Sequence, residues 1–116
     1  MDVNAVLKTV LERECAIVWP RVAPSSAEVP YVVYKLINST ERITFAGRSG
    51  LYRDRYQIIC ITADDASCRT LTEDIEDQLI VNQTDFEMVF PLFNKVEYME
   101  GNMYASRQDF YVIYRK

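Results

Sequence analysis

Two β-branched and aromatic runs, separated by a polar segment containing two glycines, constrain this chain more than any other feature. The first is Pro30-Tyr31-Val32-Val33-Tyr34-Lys35-Leu36-Ile37. The second is Leu51-Tyr52-Arg53-Asp54-Arg55-Tyr56-Gln57-Ile58-Ile59-Cys60-Ile61-Thr62. Side chains that branch at Cβ or carry rings suit a pleated, half-buried surface, so both runs are predicted strands. Residues 39–50 between them hold Arg42, Arg48, Gly47 and Gly50, a loop composition, and Ile43 and Phe45 alternate with polar neighbours. The segment is therefore predicted to be a long, basic, flexible arm between two strands, extended toward its tip. Long connections inside compact domains are often functional.

The alternation within each run says what the strands face. In the first, Tyr31, Val33 and Ile37 share a face with Lys35, and Val32, Tyr34, Leu36 and Asn38 share the other. Neither face is wholly polar, so one is expected on helices and the other against something outside the monomer. In the second run Tyr52, Asp54, Tyr56, Ile58, Cys60 and Thr62 lie on one side, and Leu51, Arg53, Arg55, Gln57, Ile59 and Ile61 on the other. Its polar half adjoins the arm and its apolar half belongs to the body.

Two helices are predicted. Residues 2–14 place Val3, Val6, Leu7, Val10 and Leu11 at helical spacing behind Asp2 as N-cap. Residues 64–80 place Cys68, Leu71, Ile75 and Leu79 on one stripe, with Thr62 and Asp65 as a capping box and Glu73, Glu76 and Asp77 outside the stripe. Between the first helix and the first strand, Pro20 and Pro24 forbid further helix, and Trp19 is expected to plug a sheet edge or the helix end. Residues 86–99 alternate as a third strand. Pro91 within it lacks an N–H, so an edge position, a bulge or a split is expected there. Glu100-Gly101-Asn102 reads as a tight turn, and 103–115 as the last strand.

The order helix, strand, arm, strand, helix, strand, strand gives an α+β class: a four-stranded, mostly antiparallel sheet with two helices packed on one face and a long hairpin arm between the first two strands. At 116 residues the whole of 1–116 is expected to be one domain.

Charge and chemistry narrow the function. The formal net charge is −4, which argues against nonspecific binding to nucleic acid. The charges are segregated, however. Arg42, Arg48, Arg53 and Arg55 lie in and beside the arm, while Glu73, Asp74, Glu76 and Asp77 lie on the second helix. An acidic element and a basic arm on one subunit allow head-to-tail self-association. There is no histidine, and the three cysteines have no CxxC spacing, so no metal, redox or catalytic site is expected. Cys15, Cys60 and Cys68 fit a reducing cytosol. No phosphate-binding loop, nucleophile elbow or zinc-protease pattern occurs, so neither an enzyme nor a cofactor is expected. No stretch is long and apolar enough to suggest a membrane span or a signal core.

Several short pieces carry a resemblance by their order and spacing. They are Val-Trp-Pro-Arg-Val-Ala-Pro at 18–24, Val29-Pro30-Tyr31-Val32-Val33-Tyr34, Gly47-Arg48-Ser49-Gly50-Leu51, Arg55-Tyr56-Gln57-Ile58, and the helix that ends in Leu79. Over roughly residues 1–80 this resembles the tail-completion, or tail-terminator, proteins of long-tailed bacteriophages and prophages; the C-terminal part matches only in strand character. The resemblance implies an α+β subunit of a ring, a hexamer, that caps the head-proximal end of the tail tube. Such a ring ends tube polymerisation and meets the head connector or neck protein. DNA then passes through the lumen only as cargo, and assembly is in the host bacterial cytoplasm. Another neck or minor tail protein of the same fold, or a non-viral protein-binding module, are the alternatives. Combining the resemblance with the charge pattern, the expected subunit or partner contacts are Arg42, Phe45, Arg48, Leu51, Tyr52, Arg53 and Arg55 on the arm side, and Glu73 and Asp77 on the helix.

Overall fold

The computed structural model describes residues 2–44, 47–82, 86–92 and 95–115. The elements in chain order are α1 (Val3–Glu12), β1 (Val18–Pro20), β2 (Tyr31–Thr44), β3 (Gly47–Thr62), α2 (Asp65–Asp77) with a π turn over Gln78–Asn82, β4 (Met88–Pro91), β5 (Val96–Glu100) and β6 (Met103–Arg115). The class is α+β, but the sheet has six strands and is mixed, not four-stranded and mostly antiparallel. Its order is β1-β2-β3-β6-β4, with β5 also on β6. Two features add the extra strands. The connector after α1 contributes β1, which pairs parallel to β2 through Val18↔Val32, Trp19↔Val33 and Pro20↔Tyr34. The Pro91 break divides the expected third strand into β4 and β5, which sit one after the other along β6.

Both helices lie on the same side of this sheet. Asp2 caps α1, its side chain accepting from the Ala5 N–H at 3.3 Å. Val3, Leu7, Val10 and Leu11 are buried against Val32, Tyr34, Tyr56, Val112 and Phe110. In α2 the cap is Asp64, not the expected Thr62–Asp65 box. Asp64 accepts from the Ser67 N–H at 2.7 Å and from its hydroxyl at 2.9 Å, and these bonds hold its carboxyl below the usual range. The buried stripe is Cys68, Thr72, Ile75 and Leu79, while Leu71 is only half-buried. Thr72 tolerates burial because its hydroxyl donates back to the Cys68 carbonyl at 2.7 Å. Burial pushes the Cys60 thiol beneath it up to about 12, so this cysteine packs as a small neutral hydrophobe.

The opposite side of the sheet is covered over only part of its length. Residues 17–29 fold back over it, so that Ile17, Trp19, Ala23 and Val29 pack on Tyr31, Val33, Ile61 and Ala105. Arg21 turns this connector at φ 67, with the Val22 N–H donating to the Pro20 carbonyl at 2.7 Å. Beyond Val33 on β2 and Ile59 on β3 this apolar cluster does not continue, and Lys35 and Arg53 on the same face are exposed. Among the described residues no helix is long and apolar enough to cross a membrane.

The molecule is elongated, with principal extents of 53 × 27 × 24 Å. The cause is the β2–β3 hairpin. β6 accompanies β3 only as far as Leu51↔Arg115, while β2 and β3 stay paired to Thr44↔Gly47. The four residues of β3 beyond that point project about 13 Å past the rest of the sheet. The expected loop is thus continuous strand on both sides up to residues 44 and 47.

Candidate subunit interface

The arm leaves the body at a β-bulge. Tyr31 to Leu36 pair in simple register with Ile61 to Tyr56, then Asn38 pairs with Arg55, leaving Ile37 extra. One inserted residue exchanges the two faces of every later position. Asn38 therefore moves to the Arg55 side, correcting the expected alternation, and Ser39 joins Asp54 on the helix side. There Asp54 is buried. It accepts from the Ser39 hydroxyl on β2 and from the Tyr114 hydroxyl on β6 at 3.0 Å. Three strands are thereby clamped at the arm's root. Tyr52 stacks on Tyr114 with ring centroids 5.6 Å apart, one turn of the pleat further out. At the tip Glu41 accepts from the Gly50 N–H at 3.2 Å, and Gly47 and Gly50 adopt φ 106 and 75, values that favour residues without a Cβ.

Of the expected contact residues, Leu51, Arg53 and Arg55 lie together on the face away from the helices, and Tyr52 lies on the other. Arg42 and Arg48 are described as backbone only, in β2 and β3, and Phe45 lies outside the described residues. Arg53 is exposed, and its guanidinium carbon sits 4.6 Å from the centre of the Tyr111 ring, which leaves the charge facing outward. Tyr111 in turn meets Phe90 of β4 at 5.3 Å. Arg55 is committed within the chain. Its Nε and Nη2 donate to Asp109 Oδ2 at 2.8 and 2.5 Å, with Asp109 buried. A cleft of about 330 Å³ opens beside Arg53, lined also by Thr40, Glu41, Leu51, Tyr52 and Ile113.

This open face holds residues that the sequence reading missed. Met88 pairs with Ile113 and Phe90 with Tyr111, so β4 adds two apolar side chains to the patch. Met88 is 55% exposed. Their strand alternation was visible, but the position of β4 beside β6 was not.

Glu73 and Asp77 are both exposed on α2, four residues apart and so on one side of the helix. Neighbouring acids are occupied elsewhere: Asp65 pairs with Arg69, and Glu76 with Lys95 at 3.1 Å. Because α2 covers one side of the sheet and Arg53 projects from the other, the acidic and basic residues are not brought together within the chain.

A groove of about 500 Å³ runs between the end of α1 and the first half of α2 and is lined by Glu14, Cys15, Thr62, Thr70 and Asp74 among others. The Cys15 thiol donates to the Ile17 carbonyl at 3.4 Å within the fold. Among the described residues no three potential ligands cluster as a metal ion would require.

No family model matches the chain, and no curated protein matches it. Among solved structures it is similar to a chain of the virion of a native gene transfer agent particle. The identity is 16% and the TM-score 0.67, over 100% of this chain and 89% of that one. At that identity the likeness is one of fold.

Proposed function

We propose that this protein is a structural component of a phage-type virion. It forms a ring, a hexamer, at the head-proximal end of the tail tube, ends tube polymerisation there and joins the tail to the head connector or neck protein. It does no enzymatic chemistry and needs no cofactor; DNA passes through the ring as cargo. The observation that carries this reading is the shared fold, over the full length of the chain, with a protein chain in a virion-like particle. The tail-terminator-like order of short sequence pieces from 18 to 79 supports the position in the particle. The projecting hairpin and the uncovered part of the sheet support a subunit built to contact neighbours.

Residues 41–55 reach an adjacent subunit or the end of the tube. Deleting 43–49 while leaving the root clamp intact should yield particles with tails of uncontrolled length and heads left unjoined. Light scattering of the purified variant and electron microscopy of the particles measure both. Tails of normal length with normal joining would overturn the assignment. The fold likeness concerns a whole virion and fits another neck or minor tail position as well. Gold-labelled antibody at the head–tail junction, as against elsewhere on the tail, decides between the two.

A further inference from the structure

Two surfaces that have no counterpart among the described residues match each other in chemistry. One is the open distal part of the sheet, where Arg53 stands outward over Tyr111 with Ile113, Met88 and Phe90 around it. The other is the exposed ridge of α2, where Glu73 and Asp77 lie one turn apart and Ile80, 37% exposed, follows in the π turn. We infer that the occupant of the open sheet face is the α2 ridge of a second copy of this chain. The two carboxylates take the Arg53 side, and Ile80 enters the apolar part beside Met88 and Ile113.

The choice of a second copy rests on charge complementarity. Among the described residues Arg53 has an aromatic ring beneath it and makes no ion pair, although Glu41 lines the cleft beside it, and Glu73 and Asp77 make no ion pair either. Burying Met88 and Ile113 under a partner removes exposed apolar surface, and pairing the charges at the rim sets orientation and register.

The topology then dictates the symmetry. The α2 ridge and the Arg53 patch are on opposite sides of one sheet, so two copies cannot satisfy both contacts by facing each other. The contact is heterologous, and repetition leads to a closed ring or an open filament, never to a two-fold dimer. This inference deepens the ring reading above and names the subunit contact within it.

The test is a charge exchange in the full chain. Arg53→Glu alone and Glu73→Lys/Asp77→Lys alone should each weaken self-association roughly tenfold or more, with the loss greatest at low salt. An equimolar mixture of the two variants should restore it, since the two unaltered surfaces pair at one contact and the two charge-reversed surfaces pair at the next. Sedimentation velocity reads the species, and circular dichroism checks that both variants fold. If Arg53→Glu does not fold, Met88→Glu takes its place on the same patch. Assemblies larger than dimers, lost in each variant and regained in the mixture, establish the contact. A wild-type chain that stays monomeric at all concentrations, an assembly that stops at the dimer, or a mixture that fails to recover would overturn it. Those results leave the place in the virion to be judged by the particle experiment, whose failure would not alter the charge exchange.

Discussion

Tyr114→Phe removes one hydroxyl and nothing else from the root of the arm. In the native protein that hydroxyl donates to Asp54 at 3.0 Å, and Asp54 is only 3% exposed. The variant leaves a buried carboxylate with the Ser39 hydroxyl as its remaining side-chain donor in the clamp. A hydrogen bond to a charged group contributes about 1.5–3 kcal/mol, and removing the polar hydroxyl from the interior returns part of that. The ring itself stays, so the stack on Tyr52 and the packing on α1 are retained and no cavity opens. The expected net loss is about 2 kcal/mol. In urea that lowers the unfolding midpoint by about 1 M, and it lowers the melting temperature by roughly 8 °C. A cycle with Asp54→Asn isolates the charge. In the Asp54→Asn background the same Tyr114→Phe change should cost only about 1 kcal/mol, the contribution of a neutral hydrogen bond. If Tyr114→Phe shifts stability by less than about 0.5 kcal/mol, or costs as much in the Asp54→Asn background as beside the native carboxylate, the clamp does not hold the arm.

Burial and the Asp54 hydrogen bond push the Tyr114 phenol up to about 12, and burial raises Tyr56 and Tyr34 as well. These phenols keep their protons in the fold past the pH of about 10 at which unfolded tyrosines release them. Their stabilisation is therefore full below pH about 10 and falls as pH rises toward about 12. Phenolate absorbance should appear together with unfolding in that interval, and Tyr114→Phe should flatten the decline; titration of the native fold at an ordinary value would contradict this. Arg55→Ala strands the buried Asp109 and should cost about 2 kcal/mol, between the values for exposed and buried pairs. Arg55→Lys should recover only part of it, because one ammonium cannot reproduce the fork of the guanidinium. Chemical denaturation of the two variants measures both.

Much of the body was legible because its signals are local. The alternation of 103–115 and the Gly101 turn placed β6, whose observed span is Met103–Arg115. Pro91 announced its own break, since a residue without an N–H cannot sustain a ladder. Of the α1 stripe Val3, Leu7, Val10 and Leu11 are buried and Val6 is partly so. What failed depended on neighbours distant in sequence. Three residues, Val18-Trp19-Pro20, do not read as a strand alone; they pair because the connector folds back beside β2. The bulge at Ile37 has no glycine to mark it, so the alternation ran on and put Asn38 on the wrong face. Thr72 displaced Leu71 from the buried stripe because its hydroxyl finds a carbonyl one turn back, a compensation that hydrophobicity alone does not register. At the candidate interface, Arg53 and the acids on α2 were named by charge. Their separation by the thickness of the sheet, and the addition of Met88 and Phe90, became visible only with the strand order.

The place of β6 in the sheet bears on how the protein is made. It lies between β3 on one edge and β4 and β5 on the other, yet it is synthesised after all of them. During translation β1, β2 and β3 can pair, but β3 waits with one open edge, and β4 and β5 have no strand to join. The strand order leaves the two halves of the sheet unjoined until β6 is available. That strand also completes both the open face, through Tyr111 and Ile113, and the clamp that orients the arm, through Tyr114. A nascent chain stopped before residue 103 lacks every element of the Arg53 patch that β6 supplies. On the contact proposed above, a chain without β6 would lack the surface that receives a neighbour.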